Sequence, residues 1–204
     1  MANEIIKLTS STNYAQVTKG VTGSILTQKS DGDIAMIPKE TGWGFYADST
    51  YTDVSPLVIN NDKIQITCDG LDGTTNTTEL PARLSGIWNT TTNVIDAKDA
   101  GDSFALRFAF KATAPQNGYF DIGLDIGADI ISSPIVVASE TKIHPKGAGV
   151  VSTYSFDVPI FTLSTFVANG GKLFIDTRDD AIIVNVHDIT VLLVATHRAN
   201  SVES

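Results

Sequence analysis

Across residues 103–111 the chain alternates without a break. Phe104, Leu106, Phe108 and Phe110 are large and apolar, whereas Ala105, Arg107, Ala109 and Lys111 between them are small or charged. A two-residue repeat of this kind separates into one apolar and one polar face only on a β-strand. Such a strand must lay its apolar face against a second layer, which restricts the chain to packed-sheet architectures. The pattern recurs at once, with Phe120, Ile122, Leu124 and Ile126 opposite Tyr119, Asp121, Gly123, Asp125 and Gly127. Between the two runs stands Pro115-Gln116-Asn117-Gly118, rich in turn formers, so the pair is expected as an antiparallel hairpin.

Composition extends the argument to the whole chain. Of 204 residues 61 are Thr, Ile or Val, and the acidic set is 18 Asp to 5 Glu. Side chains branched at Cβ pack well on a pleated surface, and Asp competes with helical hydrogen bonds, so both choices favour strands and turns. Further strands are expected near 43–47, 57–68, 130–138, 150–161, 172–177 and 182–195, separated by His-Pro-Lys-Gly, Asn169-Gly170-Gly171 and Asp179-Asp180 turns. In the last strand the apolar phase is even through Ile182, Val184 and Val186, then odd through Ile189, Val191 and Leu193. A β-bulge at His187-Asp188 accounts for the slip. The expected fold class is all-β, a sandwich or barrel, and a chain this long buries roughly 70% of its unfolded surface without needing a disulfide.

Two segments stand apart. Residues 1–41 hold short strand-like pieces at 5–8, 24–27 and 34–37 between Ser, Thr and Gly stretches. So small a segment buries too little apolar surface to offset its ordering entropy, so it is expected to dock on something else. Residues 69–102 form a long Thr-rich connection, with Ile87-Trp88 as an anchor inside it.

Several function classes are disfavoured. A net charge of -9 repels phosphate backbones, so no nucleic-acid partner is expected. No apolar run approaches the ~18 residues of a membrane helix, and the first residues lack a basic and then apolar leader, so no membrane insertion and a cytoplasmic site of synthesis are expected. The single Cys68 and the scattered His144, His187 and His197 offer no zinc-ligand spacing. Asp121 and Asp125, four residues apart on one strand face, would be about 13 Å apart, beyond a glycosidase pair, and read as surface charges. Asp31-Gly32-Asp33 and Asp69-Gly70-Leu71-Asp72-Gly73 match turn chemistry rather than a calcium loop.

Nucleophilic and nucleotide chemistry have no better footing. No Gly-x-Ser-x-Gly elbow occurs, and Cys68 has no activating neighbour in sequence. Gly147-Ala148-Gly149 lacks the helix a dinucleotide fingerprint requires, and His187 beside Asp188 reads as structural. Asn76-Thr77-Thr78 and Asn89-Thr90-Thr91 satisfy the glycosylation pattern but read as polar loop residues. No catalytic, cofactor-binding or metal-binding residue is assigned, and no cofactor is expected. What remains is binding: Tyr119, Phe161, Phe174 and Ile183 fall opposite the core set by alternation and are candidates for a subunit interface. Trp88, in the Thr-rich connection, is the candidate ligand-loop residue.

Two stretches carry a family resemblance. The run Thr41-Gly42-Trp43-Gly44-Phe45-Tyr46-Ala47-Asp48-Ser49-Thr50-Tyr51-Thr52, leading to Ser55-Pro56-Leu57-Val58-Ile59, resembles the start of the jelly-roll domain in tailed-bacteriophage virion surface proteins. Asn169-Gly170-Gly171-Lys172-Leu173-Phe174-Ile175-Asp176-Thr177, followed by residues 182–195, is similar to that family's last two strands. The likeness spans about residues 42–197 and is shared by capsid decoration (cement) proteins, head fibres and tail-fibre tips. It implies a jelly roll of the tumour-necrosis-factor type with Greek-key sheets, from residue 42 to 204, preceded by a short extended N-terminal arm, 1–41. It further implies a homotrimer on the virion surface, no enzyme activity, and attachment of the arm to the major capsid protein or another virion protein. The alternatives are a receptor-binding fibre tip recognising host surface carbohydrate and, from a different class, a carbohydrate-active jelly-roll enzyme.

Overall fold

The computed structural model describes residues 41–60, 62–145, 149–178 and 182–197, together with the backbone of four strands among the first forty residues. Those forty form a compact unit of their own. In it β1 (Glu4–Lys7) pairs antiparallel with β2 (Tyr14–Val17), and β3 (Ser24–Gln28) with β4 (Ile34–Pro38). The segment expected as an extended arm therefore carries two strand pairs.

The second unit, 41–204, contains β5 (Gly42–Ala47), β6 (Leu57–Asn60), β7 (Lys63–Gln65), β8 (Trp88–Asn89), β9 (Val94–Ile95), β10 (Ser103–Thr113), β11 (Gly118–Asp125), β12 (Val136–His144), β13 (Ser152–Phe161), α1 (Ser164–Asn169), β14 (Gly171–Asp176) and β15 (Ile183–His197). Its topology is that of one long antiparallel hairpin rolled up. The hairpin pairs are β5 with β15, β7 with β14, β10 with β13, and β11 with β12. Rolling brings β15 beside β10 and β14 beside β11. The result is a jelly-roll sandwich of two sheets. Sheet I has the order β13-β10-β15-β5 with β6 also on β15, and sheet II the order β12-β11-β14-β9-β8 with β7 also on β14.

Three expectations about neighbours are corrected. Strands β10 and β11 are not paired: both sides of β10 are taken by β13 and β15, and the 114–117 turn carries the chain across the sandwich to sheet II. The run 57–68 is not one strand, because β6 ends at Asn60 in sheet I and β7 begins at Lys63 in sheet II. The run 130–138 starts as a loop closed by an Asp129–Ser133 bridge, and the strand begins only at Val136. The slip in β15 is a bulge, as expected. Its register with β10 shifts between Ala109 and Lys111, and Asp188 takes φ 52°, a conformation Asp tolerates better than most residues.

The alternating faces meet in a continuous core. Phe104, Leu106, Phe108 and Phe110 from sheet I face Phe120, Ile122, Leu124, Leu173 and Ile175 from sheet II, all essentially without exposure. The Tyr154 ring lies 5.5 Å from Phe110 and 5.0 Å from Phe120, edge-on to the latter. Each large side chain so buried contributes about 1.5–3 kcal/mol. The Thr-rich connection is part of this core rather than a bystander: Leu84, Ile87, Trp88, Ile95 and Ala97 are all buried in it. The Trp88 Nε1–H donates to the Cys68 carbonyl at 2.9 Å, and the Cys68 amide donates to Asn93 Oδ1 at 2.9 Å.

Candidate interaction surface

Strands β12 and β13 are the outermost strands of their sheets on the same side of the sandwich, and each is paired along one edge only. Alternation on β11 buries Phe120 and Ile122, and the register places Lys142 and Glu140 opposite them on β12. The inward phase of this edge strand is thus charged, and Glu140 and Lys142 hold each other at 2.7 Å. Inward charges on an edge strand discourage indiscriminate strand pairing.

Further along the same opening lies an apolar groove of ≈ 230 Å³. Its floor is Leu124, Ile126, Ile160 and Phe166, and its rim is Val137, Phe161 and Leu163. The rim is unusually open for apolar side chains, with Phe161 at 73% exposure and Leu163 at 68%. Ile135 and Val136, just before and at the start of β12, add two more exposed aliphatic residues. On the outer face of sheet II, Tyr119 and Ile143 stand directly opposite each other in the β11–β12 register, and both are exposed.

The outer face of sheet I is a second apolar surface. Register carries one row across four strands, Trp43 to Val194 to Ala105 to Pro159, and the next from Phe45 to Leu192. The charges on this face are largely paired: Arg107 with Asp157 at 3.0 Å and Lys111 with Asp188 at 2.8 Å. The free edge of β5 is covered by the Thr-rich connection, since Phe45 and Asn76 exchange backbone hydrogen bonds at 2.8 Å.

The structure separates the residues singled out from sequence. Tyr119 and Phe161 are exposed at opposite margins of the β12–β13 side. Phe174 points outward as alternation requires, but it is 3% exposed: the Lys63 ammonium sits 4.0 Å above its ring, and Gly123 beneath it has no room for a Cβ, which would fall 2.4 Å from Phe174 Cζ. Ile183 is half-buried opposite Asn60 of β6. Trp88 is a core residue and is not displayed on a loop, because the surrounding connection folds inward around it. Alternation does not reach Ile143, Leu163 and Val136-Val137, because β12 begins at Val136, later than the 130–138 expectation, and Leu163 lies in a short loop.

Asp125 is likewise not a surface charge. It is fully buried, 3.1 Å from Lys63 Nζ, and its Oδ1 accepts from the Gly127 and Ile135 amides at 2.7 and 3.1 Å. The loop after β11 folds over it, and Lys172 fastens that loop by donating to the Gly127 and Asn169 carbonyls at 2.7 and 2.8 Å. Asp121, on the same strand face, is bound by the Arg178 guanidinium at 2.7 and 2.8 Å.

The groups considered for chemistry are tied up by structure. Burial raises Asp69 but is outweighed by hydrogen bonds from the Leu71 and Ser49 amides and the Ser49 and Thr50 hydroxyls, which hold its pKa at about 2. A carboxyl that acidic is ionised near neutrality and cannot serve as a general acid. Asp48 is tied in the same way, accepting from the Asp69, Thr50 and Tyr51 amides. Burial pushes the Cys68 thiol up to about 12, leaving no thiolate for attack near neutrality. His187 is buried, with Nδ1 3.4 Å from Asp188. Among the described residues no three His, Cys, Asp or Glu side chains come together as metal ligands, and no helix there is long and apolar enough to cross a membrane. Gly147 and Ala148 lie outside the described residues.

No protein-family model matches the chain, and no curated protein sequence does. Among solved structures, similarity extends to the Eiger TNF of S. frugiperda, at 9% identity and a TM-score of 0.43 over 79% of this chain and 96% of that one. It extends also to the PRD1 vertex protein P5, at 14% identity and a TM-score of 0.43 over 90% and 87%. The Broad Bean Stain Virus structure is more distant, at 9% identity and a TM-score of 0.30. The jelly roll itself rests on the strand order described above.

Proposed function

We propose that the chain is a non-enzymatic structural protein of a bacteriophage particle, a homotrimeric capsid decoration protein attached to the shell through residues 1–41. The observation that carries the assembly is the pair of unlike apolar surfaces, the β12–β13 groove rim and the outer face of sheet I. Contiguous exposed apolar area marks an interface in a soluble protein. Two different surfaces that recognise each other make a head-to-tail contact, which closes into a ring when the rotation suits. Trp43, Val194 and Ala105 on one protomer and Phe161, Leu163 and Val137 on the next would supply the buried apolar core such an interface requires.

Decoration, rather than assembly alone, is supported by the sequence resemblance over 42–52, 169–177 and 182–195 and by the position of the separate 1–40 unit ahead of the jelly roll. The test is native mass by light scattering, followed by binding to undecorated particles with and without residues 1–41. A trimer whose binding disappears on truncation supports the reading, and a monomer that ignores particles removes it. The fibre-tip alternative loses its candidate sugar-stacking residue, because Trp88 is inside the core.

A further inference from the structure

At the end of β12 opposite the groove, His144 is completely buried. Its Nδ1 lies 2.8 Å from the Tyr154 hydroxyl on β13, which in turn reaches the Ile143 carbonyl at 3.3 Å. The neutral imidazole fits this arrangement: Nδ1–H donates to the phenol oxygen, and the phenol donates onward to the carbonyl. Nε2 has no hydrogen-bond partner among the described residues. A second proton would therefore place an N–H without an acceptor, and a full charge, in an apolar setting. Since β12 and β13 are not paired as strands, this contact ties two otherwise free edges.

We propose that the His144–Tyr154 contact is an acid-sensitive latch, and that protonation of His144 releases the end of β12 from β13. Among the described residues no acidic group faces His144 to compensate the charge. From β13 come the Tyr154 phenol and the Ser152 hydroxyl hydrogen-bonded to it. From β10 and β11 come Phe110 and Phe120, packed on Tyr154, and Gly118, opposite His144 in the register. On β12 itself Lys142 is engaged by Glu140, whose carboxylate is four residues away, about 13 Å along an extended strand. Burial alone lowers the pKa of His144. The open strand then binds protons more readily than the closed one, so the latch is complete above the ordinary imidazole pKa of about 6.5 and weakens as pH falls below it.

The test is hydrogen exchange of the full chain at pH 7.5 and 5.0, corrected for intrinsic rates, reading residues 136–144 and 152–161 against the central strand β15. If the buried imidazole stays neutral at pH 5.0, the opening ratio rises by up to about thirtyfold. His144→Gln, which cannot titrate, removes the rise. An unchanged ratio in the natural chain, or an equal rise in His144→Gln, overturns the proposal. Should that variant fold poorly, imidazole titration of the natural chain by NMR decides: a His144 resonance titrating well below 6.5 supports the latch, and one at or above 6.5 overturns it.

Discussion

Replacing Trp88 with alanine separates a core residue from a displayed one. The indole is 1% exposed, among the largest side chains fully inside the protein, and its Nε1–H donates to the Cys68 carbonyl at 2.9 Å. Truncating a buried Trp to Ala costs about 3–5 kcal/mol, and leaving the Cys68 carbonyl unsatisfied adds about 1–3 kcal/mol. The two together come to about 4–8 kcal/mol, and at about 2–4 °C per kcal/mol for a chain of this size Trp88→Ala lowers Tm by about 8–32 °C. That loss is comparable to the stability of many domains, so Trp88→Phe serves as the graded control. It keeps an aromatic ring, gives up the N–H, and should cost about 1–3 kcal/mol. Both are read by urea unfolding at fixed protomer concentration, since an oligomer's stability depends on it. A Trp88→Ala protein within about 1 kcal/mol of the natural chain would refute the packing argument. Sugar binding lost in such a stable variant would restore the ligand-loop reading.

Further outcomes follow from particular contacts. Asp125→Ala leaves Lys63 mostly buried without its partner and two backbone amides unsatisfied, so it should cost about 3–5 kcal/mol, whereas the double change Asp125→Leu with Lys63→Met should recover much of that loss in urea unfolding. The folded pKa of Asp69, about 2, lies below its ordinary value of 3.8, so its stabilisation is complete above about pH 4 and lost as pH falls toward 2. Tm measured across that window should fall less steeply in Asp69→Asn. Cys68, with its thiol pushed up to about 12, should remain unmodified by a thiol reagent at pH 8 until urea unfolds the chain, and prompt reaction in the native state would contradict its burial.

Much of the sandwich was legible because alternation records which face of a strand is apolar. Phe104 through Phe110, Phe120 through Ile126 and the slip at His187-Asp188 all report a local, two-residue rule, and each holds in the structure. Pairing is not local. That β10 lies between β13 and β15 rather than beside β11 depends on strands separated from it by dozens of residues, and the short 114–117 turn suits either outcome. Cover is not local either. Alternation puts Phe174 and Asp125 on the outer face of sheet II, where they are, but cannot foresee Lys63 over one and the 127–135 loop over the other. Trp88 misled for a similar reason, since Thr, Asn and Asp around it suggested solvent while their hydroxyls and carboxylates were closing turns. The apolar edge was half visible: Tyr119 and Phe161 followed from phase, whereas Ile143 and Val136-Val137 required the correct start of β12.

Phe161→Glu combined with Leu163→Glu most directly tests whether this edge joins protomers. Both side chains are largely solvent-exposed in the protomer, so the substitutions should leave its unfolding midpoint nearly unchanged when dilution has already separated the subunits. Light scattering should report three times the 21.7 kDa chain mass for the natural protein and a single chain for the double variant. A natural protein that is monomeric, or a double variant that remains trimeric, would contradict the account.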